Sequence, residues 1–545
     1  MAQIPIQYQK ILPFDKMLKH VYKNTPASIN DICINLVSEV SNDDNKHKQR
    51  TTNETFCEPP NESSKDLSDF HNPQHSSNSD EALRMWALRH NITHHALKDL
   101  LILIKQQYHD DNLPLDPRTL LETPQSTGKL CIPIGGGKYW HHGFKACLEK
   151  WFKNLSTDIM ISININIDGL PVHKSSKFQL WPILCNVHEF PYLQALPIGI
   201  FYGKSKPTDV NEFLTPFVDE IIPCLENGIV VNDHTISIKL RCFICDSPAR
   251  AFVKGVVNFN GKDGCLKCTI NGEYSYLSRT VVFPSLHCPL RTDAIFRRKG
   301  YGKHHTTQES PLQRIPGLDM IKDFVVADPL HLLELGVMKR LLTGWQVGNL
   351  GYTGKFSSHH IQRLSAAIES IKLPKEIHRK MRGTDCLSFW KGTEWRTFLN
   401  YLGIVVLKDV LDETLYNHFL LLFTAVTICS TDIHVALRPL AQALFEKFIE
   451  EFIRIYGEQY ITSNIHNLEH IVGDVNQFGS LYTISAYPFE SFLFQIKNLV
   501  RQGNNCLEQV VNRMLERNAI HERGDKMSEN ITPKIIRRGS YMLGS

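Results

Sequence analysis

Three acidic residues, Asp168, Asp246 and Glu490, stand where carboxylates from distant segments could share metal ions. Asp168 closes an alternating run from Met160, in which Ile161, Ile163, Ile165 and Ile167 interleave with Ser162, Asn164 and Asn166. A period of two predicts a strand, ended by Gly169 and Pro171. Asp246 follows a second predicted strand, Ile236–Cys245. Glu490 opens a predicted helix, Glu490–Arg501, where Pro488 is tolerated in the first turn and Phe489, Phe492, Leu493 and Ile496 pack one side. Two divalent cations about 3.5–4 Å apart supply what phosphodiester cleavage needs, an activated oxygen nucleophile and a stabilised leaving oxygen. Mg²⁺ (or Mn²⁺) prefers carboxylate oxygen, so Asp and Glu are the suitable ligands. An Asp beside Gly or Pro can equally be a turn former. The metal reading rests on all three acids in their strand and helix settings.

A second constellation is of cysteine and histidine. Two Cys-x-x-Cys pairs occur, Cys242/Cys245 and Cys265/Cys268. The first lies in a predicted strand, where residues three apart point to opposite faces, so it reads as core. The second follows Gly264 in a predicted loop and suits zinc. His466 and His470, four apart on a predicted helix, would project from one face and complete a Cys2His2 site for Zn²⁺. His304, His305, His287 and Cys288 are competing ligands, and two free cysteines with two ordinary helical histidines are the plain alternative. Asp328 and His331 form a further, accessory pair: Asp328 is expected to cap the helix that begins there, with His331 left open between metal, DNA and structure.

Basic residues cluster at Arg291, Arg297, Arg298, Lys299, Lys303, His304 and His305, interleaved with Phe296 and Tyr301. Such a loop could neutralise DNA phosphates and stack on unpaired bases, or simply be solvated.

Positioning these groups requires a particular order of elements. After the first strand, Phe178–Val187 and Ala195–Tyr202 read as strands. Thr208–Asn227 reads as a helix with a stripe from Val210 to Leu225 and Gly228 as its C-terminal cap. The strand ending at Asp246 follows. Three strands, a helix and a strand are the opening order of an RNase H-like α/β core, in which the first and fourth strands are neighbours. From Asp328 the pattern is helical, over Leu330–Thr343, Ile361–Ile371, Glu394–Leu411, Leu415–Ile428 and Pro439–Tyr456, which predicts a large all-α insertion before the final helix. The expected organisation is an N-terminal segment (1–40), a disordered linker (41–80) and an N-terminal helical region (81–157). The RNase H-like core with its zinc-knuckle loop (158–327), the helical insertion (328–480), the closing catalytic helix region (481–525) and a flexible tail (526–545) follow. Within the N-terminal region, Asp80–Arg89 and Thr93–Gln107 read as helices broken at Asn91, a hairpin that could meet DNA or merely pack on a neighbour.

Bulk properties set the bounds. The 545 residues are 42% hydrophobic and 21% charged, as in ordinary globular proteins. With a formal net charge of +4, any DNA contact must come from local patches. Fourteen cysteines without scaffold density suggest a reducing compartment. There is no signal-like start, and the longest apolar run, Phe419 to Cys429, is too short to span a bilayer, so no membrane partner is expected.

The segments IDGLPVHKSSKFQLWPI, CDSPARAF, GCLKC, ADPLHLLELGV, KGTEWRTFLNYLGIVVL, NIHNLEH and SAYPFESFLFQIKNLV occur here in order. Together they resemble the characteristic blocks of CACTA (En/Spm-like) transposases and the genes derived from them, over roughly Leu83 to Arg517. The resemblance implies a DDE/D nuclease whose acids fall on Asp168, Asp246 and Glu490, acting on DNA in the nucleus as a homo-oligomer. The Cys265, Cys268, His466, His470 arrangement also looks like the zinc site of the V(D)J recombinase and its transposon relatives. Beside DNA cleavage and strand transfer stand two other expectations, a catalytically idle DNA- or chromatin-binding derivative and an RNase H-like nuclease acting on another nucleic acid.

Overall fold

The computed structural model describes residues 76–108, 113–172, 177–351 and 355–524. The expected 1–40 segment, most of the 41–80 linker and the 526–545 tail lie outside them. The described residues fall into two compact units, 133–495 and the combination of 76–132 with 496–524.

In the smaller unit, helices Ser76–Arg89 and His94–Tyr108 flank Asn91, whose φ of 53° makes the break. Thr93 is the expected N-cap, its Oγ1 accepting the Ala96 N–H at 3.1 Å. The first helix starts at Ser76, so the last residues of the expected linker are helical. They lead directly into the apolar positions that bury Ala87 and Leu88 with Leu97, Leu101 and Leu120.

The larger unit is built on an eight-stranded mixed sheet. Its strands are β1 (Cys131–Ile134), β2 (Gly137–His141), β3 (Ile159–Ile167), β4 (Leu170–Pro171), β5 (Gln179–Val187), β6 (Leu196–Gly203), β7 (Ile229–Val231) and β8 (His234–Phe243). Their order is β1-β2-β6-β5-β3-β8-β7, with β4 paired to β5. β2, β6, β5 and β3 are antiparallel neighbours, whereas β3 and β8 run parallel. Ile161, Ile163, Ile165 and Ile167 are fully buried, as the alternation predicts. Asn164 and Asn166 are buried too, because this part of β3 is covered on both faces; Asn164 Nδ2 donates to Asn186 Oδ1 and Asn166 Nδ2 to the Ile244 carbonyl.

The helix Val210–Asn227 buries Phe213, Leu214, Phe217, Val218 and Ile221 completely. It starts with its apolar stripe, two residues after the expected Thr208, because Asp209 is the N-cap: Oδ1 accepts the Asn211 N–H at 2.7 Å and the Glu212 N–H at 3.3 Å. Gly228, with φ of 71°, ends it. Asp209→Ala is expected to cost about 1 kcal/mol of stability, read from the shift in a urea unfolding midpoint.

Beyond Val282 the elements among the described residues are helices. The segment expected as one helix over Leu330–Thr343 divides into Pro329–Met338, wound with π-type i→i+5 bonds, and an α-helix Lys339–Val347. Gly392–Val406 likewise carries a π turn at Phe398–Leu402 between α segments. Periodicity alone does not distinguish 3.6 from 4.4 residues per turn over such short runs. Helices Glu413–Cys429 and Arg438–Tyr456 pack on each other, the second with Pro439 in its first turn.

Candidate metal centres

The first centre is set by strand register. An offset of 78 residues pairs Asn164 with Cys242 and Ile165 with Phe243 along the parallel strands. It continues beyond the ladder through Ile244 N donating to Ile165 O and Ile167 N to Cys245 Sγ. The next residues in that register are Asp168 and Asp246, side by side at the carboxyl ends of neighbouring strands. Each is locally fixed. Asp168 Oδ1 accepts its neighbour's Gly169 N–H at 2.6 Å. Asp246 is the N-cap of Ser247–Lys254, its Oδ1 accepting the Ala249 N–H at 2.8 Å. Both bonds use Oδ1, and no donor among the described residues engages either Oδ2.

Glu490 arrives from the first turn of the helix Tyr487–Leu499. Asp328 ties that helix start to the rest, with Oδ1 accepting the Ala486 N–H at 2.9 Å and the Leu330 N–H at 3.3 Å. Asp328 is therefore a cap, as expected, and for two helices at once. His331 bridges the two acids, with Nδ1 2.5 Å from Asp328 Oδ2 and Nε2 3.6 Å from Glu490 Oε1. Burial pushes the Asp168 carboxyl up to about 8, and repulsion from Asp246 and then Glu490 adds to it. His331 is raised to about 11: burial opposes the charge, but the bonds to Asp328 and Glu490 outweigh it. Asp246 and Glu490 thus lie close enough to act on the Asp168 charge, but the three acids do not form a group whose ligand atoms all lie within 4.8 Å of one another.

The second centre is a buried cluster of Cys265, Cys268, His466 and His470, whose ligand atoms all lie within 4.8 Å of one another. Cys265 Sγ is 3.5 Å from Cys268 Sγ, 3.3 Å from His466 Nε2 and 3.4 Å from His470 Nε2. Cys268 Sγ is 3.3 Å from His466 Nε2, and the two Nε2 atoms are 3.3 Å apart. A tetrahedron with Zn–S of about 2.3 Å and Zn–N of about 2.0–2.1 Å has edges of about 3.3–3.8 Å. The cluster has those dimensions, so it could hold a metal such as zinc. Of the competing ligands, His304 Nδ1 is 2.7 Å from the Asp263 carbonyl and the His287 backbone N–H bonds Glu469 Oε1 at 2.6 Å, while Cys288 packs against the cysteine pair without joining the four-ligand group. Cys242 and Cys245 are fully enclosed core residues, as expected, Cys242 with its thiol 3.1 Å from Asn164 Oδ1.

Sequence reasoning missed the pair that braces this cluster. Lys267, between the two cysteines, donates to Asp474 Oδ1 at 2.7 Å and to the Ile321 and Lys322 carbonyls. Asp474 Oδ2 accepts the Val326 and Ala327 N–H groups at 2.7 and 3.1 Å, one residue before Asp328. Asp474 falls four residues after His470, so the same helical spacing that marks the histidines could have marked it. Asp474→Ala would leave the Lys267 ammonium buried without its counter-charge; a loss of about 3–5 kcal/mol is expected in chemical denaturation.

The basic loop is only partly available. Arg291 is buried, its Nε donating to the Cys265 carbonyl at 3.1 Å and its guanidinium 4.6 Å over the Tyr301 ring. Arg297 bonds Asp293 Oδ2 and the Leu318 carbonyl, both at 2.6 Å. Phe296 and His304 are buried, so neither meets bases as the loop stands. Arg298, Lys299 and Lys303 are exposed, with Lys299 2.5 Å from Glu309. Half of this charge run serves internal bonding because the loop packs against the cysteine knuckle.

No family model matches the chain, and no curated protein matches its sequence. No helix among the described residues is long and apolar enough to cross a membrane.

Proposed function

We propose that the protein is a DDE/D transposase, or a protein derived from one, that cleaves DNA and transfers strands with Mg²⁺ or Mn²⁺. The observation that carries this is the register that sets Asp168 beside Asp246, supported by the electrostatic influence of Glu490 on Asp168. The antiparallel β6-β5-β3 run followed by the parallel β8 supports an RNase H-like core. On this reading the helices between Asp328 and Tyr487 are the insertion that precedes the final acid.

Asp168 and Asp246 would hold a shared cation through their Oδ2 atoms, and Glu490 would complete the set. Bound divalent ions supply an activated oxygen nucleophile and neutralise charge on the leaving oxygen. His331, fixed by Asp328, orients Glu490 in the way outer partners hold metal-binding side chains. The Cys2His2 cluster is a structural Zn²⁺ site that joins the cysteine knuckle to the segment leading into that helix. The test is nicking of supercoiled plasmid DNA by the purified protein, expected with Mg²⁺ or Mn²⁺ and lost with Ca²⁺ or without divalent ions. Nicking that is indifferent to divalent metal would remove the reading.

A further inference from the structure

A cavity of about 360 Å³ lies beside the short helix that ends at His466, and none of the three acids lines it. On one side it is lined by Lys339, Arg340 and Thr343, which follow the π-wound Pro329–Met338 segment; Ser463, Asn464 and Asn260 lie opposite. Its charge has one sign, since two cations line it and no Asp or Glu does. Arg340 is half-buried and bonds only neutral groups, Asn349 Oδ1 and the Asn349 carbonyl, each at 3.0 Å, with the Tyr460 ring 5.7 Å away. Lys339 is exposed and joins no salt bridge among the described residues. Adjacent cations without a carboxylate repel one another, and an anion from solution is the natural compensation. The Thr343 and Ser463 hydroxyls and the Asn260 and Asn464 amides add neutral donors on both walls.

We infer that this cavity binds a phosphate group, carried either by a nucleic-acid strand or by a free phosphate ligand. A phosphate offers several oxygens in a tetrahedral array, which suits donors arriving from two walls and the fork of an arginine. The volume lies within the range of small-ligand sites, roughly 300–1,000 Å³. The site does not depend on the acid cluster, because none of its lining residues belongs to that cluster. It is coupled to the zinc cluster, because Ser463 and Asn464 sit on the short helix that ends at His466. Gly336 fits the close approach of that helix: a Cβ there would come within 2.9 Å of Asn464 Nδ2.

The experiment uses the full chain and two probes. A fluorescein-labelled single-stranded DNA oligonucleotide is followed by anisotropy, and inorganic pyrophosphate by calorimetry. The variants are Lys339→Glu with Arg340→Gln, and separately Thr343→Asp, which places a negative charge on the wall without touching either cation. Lys408→Gln, at an exposed lysine outside the cavity, is run alongside as a charge control. The expected result is at least about a tenfold loss of affinity in both cavity variants, none in Lys408→Gln, and a salt slope flatter by about one to two units in the double variant. Loss with the oligonucleotide alone identifies a polynucleotide strand as the phosphate source, and loss with both probes shows that free phosphate suffices. Thr343→Asp carries the test if the double variant does not fold. Cavity variants that bind both probes as wild type does, or a wild-type protein that binds neither, would overturn the inference.

Discussion

Asp168→Asn is expected to reduce metal-dependent DNA nicking by about three orders of magnitude or more while leaving the fold intact. Metal ions contribute several kcal/mol to charge stabilisation in such reactions, and each 1.36 kcal/mol is a factor of ten. The amide cannot supply the anionic ligand at Oδ2, but its Oδ1 can still accept the Gly169 N–H that fixes the turn. In the metal-free protein the raised Asp168 carboxyl is largely protonated at neutral pH, so the amide replaces a group of nearly the same charge. Thermal unfolding measured without divalent metal should therefore be unchanged or slightly raised. A variant that is strongly destabilised, or that nicks DNA as well as wild type, would make Asp168 a structural residue.

Cys265→Ser is expected to abolish zinc binding and with it much of the stability around the cysteine knuckle. Structural zinc contributes roughly 10–16 kcal/mol of apparent binding free energy, comparable with or larger than the net stability of a whole domain. A serine hydroxyl stays protonated at neutral pH, so one of the four ligands is lost. Elemental analysis should give one zinc per chain in wild type and in Cys242→Ser. It should give none in Cys265→Ser or in the His466→Ala, His470→Ala double variant. Zinc retained when both histidines are removed would show that the cysteines take their other ligands elsewhere.

Much of the metal-binding geometry was legible because it depends on local spacing. The isoleucine alternation identifies β3 and puts Asp168 at its end, and the i,i+4 histidines share one helix face wherever the helix lies. Legibility stopped where partners come from distant segments. The register of β3 on β8 involves a shift between Ile163 and Asn164 that no local pattern encodes. The three-residue strand β7 is too short to show a period. Phe243 pairs with Phe324 in an isolated parallel bridge, their rings stacked at 4.7 Å, a contact between segments about eighty residues apart. The basic loop shows the same limit. Its composition suggested a surface for DNA, yet Arg291 and Arg297 are satisfied by carbonyls and a carboxylate that only tertiary packing brings to them. Lys339 and Arg340 drew no notice in sequence because their cavity needs the Ser463–His466 helix opposite.

The most direct test of the central claim is anomalous diffraction from crystals soaked in Mn²⁺, with data collected at the manganese edge. The account predicts anomalous density bounded by the carboxylates of Asp168, Asp246 and Glu490, and its loss in crystals of Asp168→Asn. Manganese density elsewhere with none among these three acids, or density there that survives the Asp168→Asn substitution undiminished, would contradict it.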